Sequence, residues 1–265
     1  MLKLVDVYKT FNKGTVNEKK ALNGLSLELN EGDFATIVGS NGAGKSTMFN
    51  AIAGNFFVEK GCIELDGEDI TFSREHQRAK LIGYLFQDPM KGTAPNLTIE
   101  ENIALAYSRK KGASLRFALN KRDQMVFREA LAGFQMGLED RMKTKVGLLS
   151  GGQRQAVTLL MCTLVTPKLL LLDEHTAALD PATAQKVMEI TKDIVGRNHL
   201  TTMMITHNLK AALETGTRTI MLDSGSIMLD VSGEEREHMT LDDLLQMYSA
   251  KKKEEFANDR MLLTK

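Results

Sequence analysis

Gly39-Ser40-Asn41-Gly42-Ala43-Gly44-Lys45-Ser46-Thr47 matches the pattern G-x-x-x-x-G-K-[ST]. Glycines at this spacing let the backbone curl so that successive N–H groups point inward at phosphate oxygens, and a helix N-terminus adds partial positive charge. In such a loop Lys45 reaches the β- and γ-phosphates of a nucleotide, and the Ser46 hydroxyl ligates Mg²⁺. Asp173 ends a run of four leucines, Leu169 to Leu172, and offers a carboxylate for the second requirement of a nucleotide-bound Mg²⁺. Glu174 follows at once and could polarise an attacking water as a general base. Leu149-Ser150-Gly151-Gly152-Gln153-Arg154-Gln155 sets a serine and two glycines at a helix start, a second group of backbone donors for an anion.

Each of these motifs needs an element to carry it. Phe34 to Val38 is a short unbroken apolar run ending at Gly39, as in a strand buried on both faces of a parallel sheet. A helix is expected from Lys45, with Met48, Phe49, Ile52 and Ala53 on one face and Gly54 as its stop. The leucine run is a second buried strand. Around these, Leu2 to Val7 and Leu25 to Leu29 alternate like strands, and Ile63 to Leu65 leads into an Asp66-Gly67 turn. Thr98-Ile99-Glu100-Glu101 is a capping box opening a helix, and a second helical run covers about Gln124 to Phe134. Between them Arg109 to Arg122 carries six basic residues and no acidic one. Pro181 to Val195 is helical, Thr202 to Ile205 a strand, and Thr219 to Val231 a hairpin about Asp223-Ser224-Gly225. Leu241, Leu244, Leu245 and Tyr248 indicate a short amphipathic helix, followed by the charged tail Lys251 to Glu255. The pattern is an α/β core with a helical insertion.

Composition narrows the function. The chain has 265 residues, 43% hydrophobic and 26% charged, which supports a large folded core. Lys+Arg and Asp+Glu both count 34, so no bulk positive charge is available for wrapping nucleic acid. Two cysteines, Cys62 and Cys162, imply neither a disulfide framework nor a thiolate metal site, and a reducing compartment is expected. The opening Met1-Leu2-Lys3-Leu4-Val5-Asp6 meets charge too soon for a signal peptide, and no apolar run approaches the ~20 residues of a membrane span.

With these residues in this order, the chain resembles the ATP-binding subunit of an ABC transporter over roughly residues 1–240. Gly39 to Thr47 is similar to Walker A, Leu149 to Gln153 to the LSGGQ signature, and Leu169 to Glu174 to Walker B with its catalytic glutamate. Gln87 matches the Q-loop, Ala178-Leu179-Asp180 the D-loop and His207 the switch histidine, and Phe11 stands where the family stacks an aromatic on adenine. The resemblance implies an α/β P-loop NTPase (RecA-like) core with an antiparallel β subdomain and an inserted α-helical signature subdomain. The core would be 1–87 and 157–240, the helical part about 88–156, and 241–265 a short C-terminal helix and charged tail. It implies ATP and Mg²⁺ as ligands, with Ser46, Gln87 and Asp173 toward the metal. Lys45, Glu174 and His207 would take part in hydrolysis. Phe11, the Gly39–Thr47 loop and Gln87 would contact nucleotide, as would Ser150, Gly151, Gly152, Gln153 and Asp180. It also implies a head-to-tail dimer, of two copies or with a paralogous ATPase, each ATP lying between one chain's Walker A and the other's signature.

Two positions depart from the family pattern. His175 stands where proline is usual, open to reading as a proton relay or as a structural loop residue; His207 already fills the histidine role. Phe11 replaces the more frequent tyrosine, and stacking needs only the ring face. The absence of a fused membrane span favours a cytoplasmic subunit, peripheral on the inner face of the cell membrane, serving separate permease subunits and a solute-binding protein. The basic insertion and the run Glu174 to Pro181 resemble uptake ATPases for branched-chain amino acids and related small organic solutes. Other ABC ATPases remain alternatives: exporters, mechanotransmitters of lipoprotein release or cell division, and soluble ATPases of DNA repair or translation. The basic insertion itself reads as a solvated loop, a contact with anionic lipid head groups, or a contact with permease loops.

Overall fold

The computed structural model describes residues 1–111 and 120–263. The basic insertion therefore lies largely outside the described residues. The chain divides into two compact units, one of Met1–Phe72 with Met203–Lys265 and one of Ser73–Thr202.

The first unit begins with β1 (Leu2–Phe11) and β2 (Lys19–Leu29), an antiparallel pair longer than the alternation alone suggests. The apolar run forms β3 (Phe34–Gly39), buried from Phe34 to Val38, and α1 follows over Lys45–Ala53 with Gly54 at its C-cap. β4 (Lys60–Leu65) turns through Asp66-Gly67 into the two-residue β5 (Glu68–Asp69), and a four-stranded antiparallel sheet results in the order β2-β1-β4-β5.

The chain returns to this unit with β8 (Thr202–Ile205), α7 (Leu209–Thr215), β9 (Arg218–Asp223), β10 (Ser226–Ser232), α8 (Gly233–Glu237) and α9 (Leu241–Leu263). Here the strand order is β10-β9-β3-β8. β3 runs parallel to β9, with Gly39 opposite Leu222. The β9–β10 turn places Ser224 and Gly225 both at positive φ, 48° and 82°, which is the two-residue hairpin geometry expected there. Val38, Ala212, Met221, Met228, Leu229 and Leu244 share one buried cluster. α9 continues for 23 residues through the charged stretch that reads as a tail. Lysine and glutamate are good helix formers and no glycine or proline intervenes, so charge alone does not stop the helix.

The second unit holds α2 (Glu75–Arg78), β6 (Ile82–Leu85), α3 (Ile99–Lys111), α4 (Lys121–Ala132), α5 (Gly151–Thr163), β7 (Leu169–Asp173) and α6 (Pro181–Asn198). β6 and β7 pair in parallel, and every leucine of Leu169–Leu172 is fully buried. The capping box at Thr98 forms: Glu101 accepts from the Thr98 backbone and hydroxyl, while Thr98 Oγ accepts from Glu101 N. α4 starts earlier than its apolar spacing suggests because Asn120 caps it, accepting from Asp123 N at 2.9 Å. α5 is the central helix of this unit, packed against α3, α4, α6 and β6.

Candidate functional site

The glycine loop leaves β3 at Gly39, where φ is 145° and a Cβ would run into the Leu222 carbonyl of the neighbouring strand. Gly44, the N-cap of α1, has φ 104° and would bring a Cβ within 2.6 Å of Ala21 O. Both positions therefore require glycine. The loop is tied from behind by Gly225 N donating to Ala43 O at 2.9 Å, and Gly225 O in turn accepts from Asn23 N. Lys45 is buried, 5% exposed, and its ammonium donates to Gly39 O at 2.7 Å and Ser40 O at 3.0 Å. A helix start with outward donors, a loop that cannot carry side chains at its crowded points and an ammonium folded over it make a cradle for phosphate oxygens. These residues fit a nucleoside triphosphate.

Sequence reasoning missed Lys19. It lies opposite Phe11 across the β1–β2 pair, and its Nζ is 3.1 Å from where a Gly42 Cβ would sit. Phe11 meets Phe56 edge to face, centroids 5.5 Å apart, and Lys9 Nζ lies 4.9 Å from the Phe56 ring centre. His207 follows β8, between Thr206, whose N–H donates to Ile37 O, and Asn208, which caps α7.

In the second unit the strand ends bring the predicted acids together with the predicted glutamine. Gln87 Nε2 donates to Glu174 Oε2 at 3.1 Å. Glu174 holds φ at 47°, a conformation that costs a non-glycine residue about 1 kcal/mol or more and that re-aims its carboxylate out of the strand. Asp173, one residue earlier, accepts from the Tyr84 hydroxyl at 3.3 Å, and Tyr84 stacks on Phe86 at 4.2 Å. Burial, and then the Asp173 charge, push the Tyr84 phenol above its ordinary value, so it stays a donor.

Ser150 caps α5 in a reciprocal box with Gln153, both bonds at 3.3 Å. Gly152 lies so close to Thr183 that a Cβ would collide with the threonine methyl. The second glycine of the signature is thus set by the start of α6, which Asp180 caps by accepting from Thr183 N at 3.1 Å. Hydrogen bonds from Thr183 hold the Asp180 carboxyl below its usual range. The signature and Asp180 are neighbours within this unit. Arg154 was not singled out by its type; it binds the carbonyls of Val146, Gly147 and Leu149 and fixes the turn before the signature.

His175 is packed inside this unit against α6. It is 2% exposed, its Nε2 is 3.2 Å from Thr191 Oγ on α6, and its carbonyl accepts from Gln155 Nε2 at 2.7 Å. Burial pushes its pKa down to about 4. The folded state therefore holds His175 neutral where the unfolded chain, near 6.5, binds a proton. Its stabilising share is complete above about pH 6.5 and is lost as pH falls toward 4, roughly 3 kcal/mol across that window. Stability of the wild type to heat should fall over that range, and His175→Pro should flatten that part of the curve without moving the pH inflections of the hydrolysis profile, whatever its effect on the height of that profile. A shifted rate profile in that variant would restore the relay reading.

Gln155 is fully buried on α5 and donates to both Phe86 O, at 3.3 Å, and His175 O. Among the described residues its Oε1 has no hydrogen-bond partner, a condition that costs about 1–3 kcal/mol for a buried acceptor.

Comparison with known proteins gives the same reading. The family described as ABC transporter matches residues 22–177. A tyrosine transport ATP-binding protein of Clostridioides difficile is 41% identical over 94% of this chain and 98% of its own length. A xylose/arabinose import ATP-binding protein of Sulfolobus acidocaldarius is 35% identical over 89% of both chains. Among solved structures, a dimeric ATP-binding cassette in a post-hydrolysis state bound to ADP and Pi superposes with a TM-score of 0.76 at 29% identity, covering 88% of this chain and 98% of that one. Such similarity, over more than half of the sequence and across the whole α/β architecture, means that the chain belongs to the ABC transporter family, as one of its ATP-binding, ATP-hydrolysing subunits.

Proposed function

We propose that this subunit powers a membrane permease for uptake of a small organic solute, of the amino-acid class. The carrying observation is the 41% identity, over nearly the full length of both chains, to a protein named for tyrosine transport. Sugar, phosphonate and thiamine import ATP-binding proteins among the relatives support import, at lower identity. Among the described residues no helix is long and apolar enough to cross a membrane. We place the subunit at the cytoplasmic face of a permease, a position that its kinship with import ATP-binding proteins supports. A solute-binding protein in the same system completes this reading.

In the reading we favour, two copies pair head to tail, as the dimeric cassette structures support. Each nucleotide is then read by the Gly39–Thr47 loop and Phe11 of one copy and by Ser150–Gln153 of the other. Ser46, Gln87 and Asp173 supply hydroxyl, amide and carboxylate oxygens, the hard donors that Mg²⁺ prefers. Held by those residues, Mg²⁺ would supply positive charge against the phosphates; Glu174 would orient the attacking water and His207 would hold it against the terminal phosphate.

Affinity purification of the tagged chain from its native membranes in mild detergent tests the transport reading. A multi-span permease in stoichiometric amount is the expected companion, and its binding protein identifies the solute. Recovery only from the soluble fraction, with nucleic acid or ribosomal proteins, would overturn transport and leave the ATPase intact.

A further inference from the structure

Gln87 and Glu174 meet across a single hydrogen bond, yet they sit on the loops that follow two different strands, β6 and β7. Something must hold those loops in register. The residue directly before Gln87 is Phe86 and the residue directly after Glu174 is His175, and the carbonyls of both accept from one side-chain nitrogen, Gln155 Nε2. We propose that Gln155 is a positioning residue for hydrolysis: its amide clamps the Gln87 loop to the Glu174 loop and so sets the geometry of the carboxylate. This rests on the reading of Glu174 as the base.

The arrangement is specific to an amide. Among uncharged side chains only a primary amide puts two N–H donors on one atom, and two backbone carbonyls approaching one nitrogen use both. The amide oxygen is left buried with no partner among the described residues, so the side chain is not placed there to satisfy its own polar groups. His175 contributes the other half of the anchor, because its ring is pinned to Thr191 on α6 and its carbonyl cannot drift. Gln155 also lies on α5 two residues beyond Gln153, so the helix that the signature opens is the one that carries the clamp.

Gln155→Met fills the same slot without donors. Its turnover should fall about tenfold or more, the scale of effect that a misplaced base produces, while fluorescent-ATP affinity stays within about twofold, since no phosphate-binding residue is touched. The decisive comparison is a double-mutant cycle with Gln87→Ala. If Gln155 acts through the Gln87–Glu174 pair, the double variant is no slower than the slower single variant; a residue that merely supports the fold gives additive losses. Wild-type turnover in Gln155→Met, or additive losses in the cycle, would overturn the proposal. Should the apolar variant fail to fold, Gln155→Glu keeps the shape, can donate to only one of the two carbonyls once its buried carboxyl is protonated, and enters the same cycle with the same criteria. Glu174→Gln is assayed alongside. Full activity there defeats the base assignment, whereas its inactivity together with a wild-type Gln155→Met defeats only the clamp.

Discussion

Lys45→Ala should abolish useful nucleotide binding, raising the dissociation constant for a fluorescent ATP analogue by about a hundredfold or more. The ammonium is almost fully buried beside the loop and lies against Gly39 O and Ser40 O, carbonyls that it can exchange for phosphate oxygens when nucleotide binds. Hydrogen bonds from such a charge contribute about 1.5–3 kcal/mol each, and two of them account for the expected loss. The variant also strips donors from two loop carbonyls, so a modest drop in thermal stability accompanies the effect. Stability and affinity can be told apart by titrating well below the unfolding temperature. An affinity near that of the wild type would mean that the loop amides alone hold the nucleotide.

The second large effect is expected of Glu174→Gln. Binding should survive, because the substituted side chain contributes nothing to the phosphate cradle, and its amide oxygen can still accept from Gln87. Turnover should fall by about a hundredfold to ten-thousandfold, the usual worth of a general base. With ATP present, size-exclusion chromatography should show a stable dimer, since the contacts made by the terminal phosphate are never released. Hydrolysis at the wild-type rate would remove Glu174 from the chemistry and return the question to His207 and water alone.

Much of this was legible in the residue order. Strand, glycine loop and helix at Phe34–Ala53 could be read because burial on both faces, glycine punctuation and helical spacing all point the same way, and the same holds for the leucine strand and the Asp223-Ser224-Gly225 hairpin. What could not be read depends on residues distant in sequence. Tyr84 gains its role from Asp173, Lys19 from Gly42, and Gln155 from Phe86 and His175; none carries a local signal, because a tyrosine in a strand or a glutamine in a helix is ordinary until its neighbour is known. His175 shows the reverse case. Its type suggests chemistry beside a catalytic acid, and only its burial against Thr191 shows that it is held neutral for packing. Helix ends were the least legible: Asn120 started α4 early, and α9 ran on through charges that read as a tail.

The parallel pairing of β3 with β9 also sets a timetable for synthesis. The strand that delivers the glycine loop is made early, but its hydrogen-bonding neighbour emerges from the ribosome far later; Thr36 Oγ bonds to Arg218 O across 182 positions of chain. The turn at Gly225 that ties down Ala43 comes later still. Until β8 and then β9 are made, β3 is an apolar strand without its partners, the kind of segment that aggregates or recruits chaperones. A nascent chain therefore cannot acquire its nucleotide pocket piecemeal: the phosphate loop closes only once the hairpin near the other end of the protein has been translated.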